Sequence, residues 1–251
     1  MIASIVLRFA AEQLSASHSI FPVQIHRFIY EKMNHSKLAR YYHDSPSSPF
    51  AVKRITFVAA TVMELQIIFF HFELFQAFCA TCRTGETVIG GEVKLHLTAI
   101  AVHPEDHPDA GLVSYESLNH MPLKRGIRLY FRHAAFHNGG HTIVLPIPHY
   151  IVKSLLRKWM QAGGQRLVEK EVCDQQLASG LRITSHQIYT QPYSLQPSVK
   201  ITTFSGNVHV LNTHEDVSLQ RALQKLIYFA HYSGVGWKCA YGMGGVDVHP
   251  L

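Results

Sequence analysis

Charge is scarce in this chain: Asp, Glu, Lys and Arg make up 16% of its 251 residues, against about a quarter in an average globular protein. Cysteine is scarce too. Four irregularly spaced cysteines exclude a disulfide framework and fit a reducing compartment, so a cytoplasmic location is expected. Long apolar runs are missing. The most apolar stretch, ITFVAATVMELQIIFF, is about one turn short of a membrane span and holds Glu64 and Gln66, so no membrane contact is expected. The opening MIASIVLRFAAEQL has no basic leader, and Arg8 and Glu12 interrupt its apolar run, which argues against an export signal.

What is present is enough for a large core. Apolar residues reach 47%, and the chain can form one large domain or two of about 125 residues. The net charge of +6, with 18 histidines that add positive charge in mild acid, points to a polyanion as partner, nucleic acid being the commonest.

The hydrophobic pattern repeats one order of elements. IASIVLRF reads as a strand. FPVQIHRFIYEKMNHSKLARYYH reads as one helix with a stripe through Ile25, Phe28, Ile29, Met33 and Leu38, ended by the turn chemistry of DSPSSP. FAVKRITFV and VMELQIIFF read as strands, HFELFQAFCATC as a short helix, and EVKLHLTAIAV as a half-buried strand. After the loop that follows, GIRLYFRHAAF is a strand and LPIPHYIVKSLLRKWMQ a helix. Its apolar face runs through Val152, Leu155, Leu156 and Trp159, and Lys153, Arg157 and Lys158 are left for solvent or phosphate. Two more strands, around LRITSHQIYT and SVKITTFSGNVHVL, precede the helix VSLQRALQKLIYFAHY, for which Thr213 and Asp216 are expected to form a capping box. Two β-α-β-β-α-β patterns predict an α+β chain of tandem ferredoxin-like domains, residues 1–122 and 123–251.

Between Tyr232 and Val246 five glycines fall within fifteen residues. GVGWKCAYGMGG is not a dinucleotide fingerprint, because here a helix precedes the glycines and a strand follows, the reverse of the order that places a helix N-terminus on a pyrophosphate. The expectation is a loop with exposed N–H groups at Gly234, Gly236, Gly242 and Gly244, a cation in Lys238, and stacking rings in Trp237 and Tyr241. Such groups suit a phosphodiester backbone beside an unstacked base; tight packing of the loop on its own protein is the competing reading.

The loop with its preceding helix, FAHYSGVGWKCAYGMGGV, resembles the C-terminal GxGxKxxxGxG segment of the CRISPR-associated endoribonucleases of the sixth Cas family. RLYFRHAAFHNGG followed by LPIPHYIVKSLLRKW resembles the start of that family's second domain, and LARYYHDSPSSPFAV its first-domain segment with a histidine before an aspartate. The chain departs from the pattern at Trp237, where arginine is usual, at Cys239, often threonine, at His133–Phe136, where TPTxF is commoner, and at Lys53, often serine.

The resemblance implies two ferredoxin-like domains and metal-independent cleavage of precursor CRISPR RNA within its repeats, by attack of a ribose 2′-hydroxyl on the adjacent phosphate. That reaction needs a base, an acid and a cation for the developing charge. The resemblance gives His43 the base–acid role, Lys53 the phosphate and Tyr30 an assisting role. On a straight helix Tyr30 and His43 would lie roughly 20 Å apart, so sharing one site requires a bend between them. Arg54 is the alternative cation on the other face of a regular strand, and His26 and His35 are fallback histidines.

Arg128, Lys153 and Arg157 are expected to track RNA phosphates, within a basic set that includes Arg125, Arg132, Arg166 and Lys170. Cys79 and Cys82 form a CxxC, but Cys173 and Cys239 supply no second pair and no HExxH occurs, so buried thiols are expected rather than a metal, and no cofactor. Repeat RNA is the expected partner, with a homodimer and CRISPR effector subunits left open. The alternatives are a repeat-RNA binder that does not cut, and a subunit of a ribonucleoprotein effector.

Overall fold

The computed structural model describes residues 1–11, 21–43, 48–90, 93–163, 167 and 173–251. They form two compact units. The first comprises Met1–Val113, Ser194–Ile201 and Ala240–Gly242; the second comprises Ser114–Tyr193, Thr202–Cys239 and Met243–Leu251.

The first unit runs β1 (Ile2–Ala11), α1 (Pro22–Met33), α2 (Lys37–His43), β2 (Phe50–Ala59), β3 (Val62–Phe69), α3 (Phe72–Thr81), β4 (Thr87–Gly90), β5 (Val93–Ala101) and β6 (Gly111–Val113). Its sheet has the order β2-β3-β1-β5-β4, and β6 also pairs with β1. β1 sits between two full-length neighbours, which explains why Ile2, Ala3, Ile5, Val6, Leu7 and Phe9 are all buried. Ile5, Leu7 and Phe9 share one core with Ile25, Phe28, Ile29 and Met33 of α1 and with Leu74 and Phe78 of α3. Arg8 and Glu64, register partners across β1 and β3, form an ion pair at 2.6 Å.

The expected single helix over residues 22–43 is two helices. Asn34, His35 and Ser36 break it: the Ser36 N–H donates back to the Met33 carbonyl at 2.9 Å. Ser36 then starts α2 afresh. Its carbonyl accepts the Arg40 N–H at 3.4 Å, its hydroxyl accepts the Leu38 N–H at 3.2 Å, and the same hydroxyl donates to Glu73 at 2.9 Å. Serine at a helix start competes well for local backbone donors, whereas mid-helix it offers the backbone an alternative to the helical ladder.

The second unit runs β7 (Gly126–Ala134), β8 (Phe136–Asn138), β9 (His141–Ile143), α4 (Pro148–Gln161), α5 (Asp174–Ser179), β10 (Leu181–Gln196), β11 (Val199–Asn212), α6 (Val217–Ser233) and β12 (Gly245–Pro250). Its main sheet has the order β10-β11-β7-β12. The first unit's β2-β3-β1-β5 is the same permutation, so each unit is ferredoxin-like: two antiparallel sheets, each with helices packed on it. Leu155 and Trp159 of α4 and Leu223, Leu226 and Phe229 of α6 are buried, and the Trp159 and Phe229 rings meet edge to face at 5.2 Å.

The capping box before α6 does not form. Asp216 alone caps it, accepting from the N–H groups of Ser218 at 2.7 Å and Leu219 at 3.3 Å, while Thr213 donates to the Gly180 carbonyl at 3.2 Å. No helix among the described residues is long and apolar enough to cross a membrane.

Asp216→Ala is expected to lower stability by about 1 kcal/mol through the lost cap, and Ile29→Ala, fully buried in the native core, by about 3 kcal/mol. Urea denaturation of the purified variants measures both.

Candidate nucleic-acid interface and active site

Because α1 turns Ile25, Phe28, Ile29 and Met33 into the core, His26, Arg27, Tyr30, Glu31 and Asn34 fall on its other faces. With Ala39 and Arg40 of α2 they line an open depression of about 580 Å³. The His26 ring lies flat on the ring of Tyr241, 4.1 Å away and 7° from parallel. It also meets Tyr30 at 4.8 Å, and Tyr30 in turn meets the edge of Phe50 at 5.3 Å. Burial pushes the Tyr30 phenol up to about 12, against the lowering effect of its hydrogen bond with Ser48. Near neutral pH Tyr30 is therefore a neutral donor and not a base. Arg27 is held by Glu31 at 2.7 Å, and the exposed Arg40 lies on the second helix, across the break.

His43 is the last residue of α2, and its side chain lies outside the described residues. The break after Met33 separates the helix that carries Tyr30 from the one that ends at His43. His35 is exposed in the break itself. Lys53 is only 4% exposed and sits where the pairing of β2 with β3 shifts register between Val52 and Arg54. The strand is therefore not regular at this point, and the expected period-2 alternation cannot be assumed from Lys53 to Arg54. Arg54 is bound by Asp109.

The glycine loop is packed, not open. Gly234 ends α6 with φ 61°, and Gly236 and Gly244 have φ of 94° and 69°. A Cβ on Gly236 would stand 2.3 Å from the Ala135 carbonyl oxygen, and one on Gly244 2.1 Å from that of Val235. Of the N–H groups expected to be exposed, those of Gly234, Gly236 and Gly244 are used internally, the first donating to the Ala230 carbonyl at 3.0 Å. Val235 donates to the Gly244 carbonyl at 2.7 Å, Gly236 to the Ser154 hydroxyl at 2.8 Å, Trp237 to the Ala135 carbonyl at 2.8 Å, and Gly244 to the His133 carbonyl at 3.0 Å. The half-exposed part begins at Trp237, whose ring lies beside His137 at 4.8 Å with the Lys238 ammonium 4.7 Å from its centre. Lys238 has φ 55°, and burial lowers its pKa. Tyr241 and Gly242 are half-exposed as well.

Lys158 is half-buried and its ammonium turns inward, contrary to the helical pattern. Its ammonium donates to the carbonyls of Ser233 at 3.1 Å and Gly234 at 3.0 Å and lies 2.7 Å from the Cys239 sulfur. Burial lowers its pKa, opposed by Cys239. Lys153 and Arg157 are exposed on α4, and the exposed Arg128 on β7 is flanked by His209 of β11 and His249 of β12. Arg132 is paired with Asp247 and lies over the Tyr130 ring at 4.9 Å. Arg166 and Lys170 lie outside the described residues. Burial raises the thiols of Cys79 and Cys82 to about 11 and about 12, so both are protonated, inert thiols at neutral pH. Among the described residues no three His, Cys, Asp or Glu side chains are grouped to hold a metal.

Sequence reasoning missed Arg27, Asn34 and Arg40 as lining residues, since Arg40 reaches the depression only through the helix break. The spacing of His26 and Tyr30, one turn apart, was the available signal for the pair.

The family model described as CRISPR-associated endoribonuclease Cas6 matches residues 129–246. The CRISPR-associated endoribonuclease Cas6 of Streptococcus thermophilus is 23% identical over 227 residues, 90% of each chain. Among solved structures, a Cas6 product complex superposes with a TM-score of 0.82 at 23% identity, covering 100% of this chain and 99% of that one. Thermus thermophilus Cas6 superposes with a TM-score of 0.77 at 22% identity, covering 99% and 98%. The family model covers the second ferredoxin-like half, and the chain as a whole is similar in sequence and fold to CRISPR-associated endoribonucleases named Cas6.

Proposed function

We propose that this protein cleaves precursor CRISPR RNA within its repeats, by attack of a 2′-hydroxyl on the adjacent phosphate, leaving a 2′,3′-cyclic phosphate and a 5′-hydroxyl. The observation that carries the reading is the full-length match to Cas6 chains, one of them solved as a product complex. On this reading residues 1–122 carry the chemistry and residues 123–251 the glycine loop.

His43 takes and returns the proton, its place at the end of α2 favouring the imidazolium. Tyr30, held neutral well above neutral pH, donates a hydrogen bond to the reacting phosphate or leaving oxygen. Lys53 supplies positive charge for the phosphorane. Trp237, Lys238, Tyr241 and Gly242 meet the RNA directly. Gly234, Gly236 and Gly244 contribute by letting the loop fold close enough to present them, and Arg128, Lys153 and Arg157 track phosphates.

Labelled repeat RNA incubated with excess chelator is expected to be cut once per repeat, with His43→Ala slower by at least about 100-fold and Tyr30→Phe by about tenfold. Tight binding without any cut would replace this reading by that of a repeat-RNA binder. The rate profile is expected to show no Tyr30 ionisation in the neutral range, because burial pushes that phenol up to about 12.

The slope of log affinity against log salt measures the phosphate contacts. Replacing both Lys153 and Arg157 by alanine is expected to reduce its magnitude by about 1.4, two single-strand contacts.

A further inference from the structure

Helix α4 carries two pairs of polar side chains in step. Lys153 and Arg157, one turn apart, are exposed. Ser154 and Lys158, each one residue further on, turn inward onto the glycine loop. The Ser154 hydroxyl, 7% exposed, accepts the Gly236 N–H at 2.8 Å. The Lys158 ammonium donates to the Ser233 carbonyl at 3.1 Å and the Gly234 carbonyl at 3.0 Å, and lies 2.7 Å from the sulfur of Cys239. Cys239 in turn reaches the Gly236 carbonyl at 3.7 Å.

These acceptors are not arbitrary. Ser233 is the last residue of α6 and Gly234 its cap, the negative end of the helix, where carbonyls lack intrahelical donors and a cation is favoured. A single ammonium from α4 thus satisfies the end of α6 and also touches the residue next to Lys238. The stretch from Gly234 to Gly236 has little side chain of its own with which to anchor, so its bearing has to be set from outside.

We infer that Ser154 and Lys158 are positioning residues: they fix the glycine loop so that Trp237 and Lys238 face the RNA, without touching it themselves. The inference rests on the reading of that loop as an RNA contact. It also makes α4 a shared support, since the helix that holds the loop from within carries Lys153 and Arg157 on its solvent side.

The test uses the full chain and labelled repeat RNA, with affinity, its salt dependence and the single-turnover rate at saturating protein measured separately. Lys158→Met is expected to weaken binding by about tenfold, as for loss of charge-assisted hydrogen bonds. The saturating rate stays within about threefold, since the lost interaction serves binding and not the chemical step. The salt slope stays that of the parent, since no phosphate contact is lost. Ser154→Ala, the milder change, is expected to cost about threefold in affinity with the same two controls unchanged.

Unchanged affinity in both variants overturns the proposal. A shallower salt slope in Lys158→Met also overturns it, by making Lys158 a phosphate ligand, and so does a saturating rate that falls as far as the affinity. Should Lys158→Met not fold, Ser154→Ala decides alone. If the parent neither binds nor cuts repeat RNA, the underlying functional reading fails, and the clamp is judged by alkylation of Cys239 with N-ethylmaleimide. That thiol is 7% exposed in the parent, and labelling about tenfold faster in both variants supports the clamp, as for a buried group opened by local loosening; unchanged labelling refutes it.

Discussion

The end of β7 and the chain that leaves α6 approach as closely as two backbones can, and the arrangement of the glycine loop depends on that approach. Ala135 accepts from Trp237, His133 accepts from Gly244, and Val235 closes onto Gly244, each within ordinary hydrogen-bond distance. No residue with a Cβ fits at Gly236 or Gly244 without driving a carbon into a carbonyl oxygen. The N–H groups of Val235, Gly236, Trp237 and Gly244 are thus part of the fold, while Trp237, Lys238, Tyr241 and Gly242 stay half-exposed. Two departures from the family pattern, Trp237 and Cys239, fit this balance. Trp237 gives the half-exposed segment a ring in place of a charge, and Cys239 gives the buried segment a soft partner for Lys158.

In the first unit the corresponding constraint is the interruption between α1 and α2. A continuous helix would have carried Arg40 and His43 straight on along the axis. Ser36 prevents this by offering its hydroxyl to Leu38 and to Glu73, so that the chain turns at the point where Asn34 borders the depression lined by His26 and Tyr30. Stacking of His26 on Tyr241 then covers one face of that imidazole, and burial keeps Tyr30 protonated. This surface therefore offers a phenol and guanidinium groups as donors, with the Glu31 carboxylate pairing Arg27.

Much of the fold was legible because strongly periodic segments leave few alternatives. The buried run of β1, the stripe of α4 and the alternation of β5 all gave the right element, and the repeated order of elements gave the duplicated topology. Shorter pieces were not legible: β4, β6, β8, β9 and α5 are too brief for a period to show. The helix break was missed because the apolar stripe continues across it through Leu38, while the deciding interactions are a local serine hydroxyl and a glutamate 37 residues away. Within the site, residue types were legible and their directions were not. Lys158 has the spacing of a solvent residue at the edge of α4's apolar face, and only the nearby end of α6 draws it inward. The register shift at Lys53 likewise depends on how β3 pairs with β2, which a period-2 reading assumes to be regular.

The central strands of both sheets find their partners late in the chain. Ile2 is opposite Val113, Val6 is opposite Ala101 and Ile127 is opposite Pro250, so in each unit the first strand is flanked on one side by segments far downstream. Closing such loops costs chain entropy before any pairing compensates it, which makes assembly slow compared with that of a hairpin protein. Until the late strands arrive, β1 and β7 expose an apolar edge rich in unpaired amides, a template for another chain. Nascent molecules thus pass through an aggregation-prone stage that the finished one conceals, and synthesis rate and chaperone supply should govern yield more than the stability of the folded form.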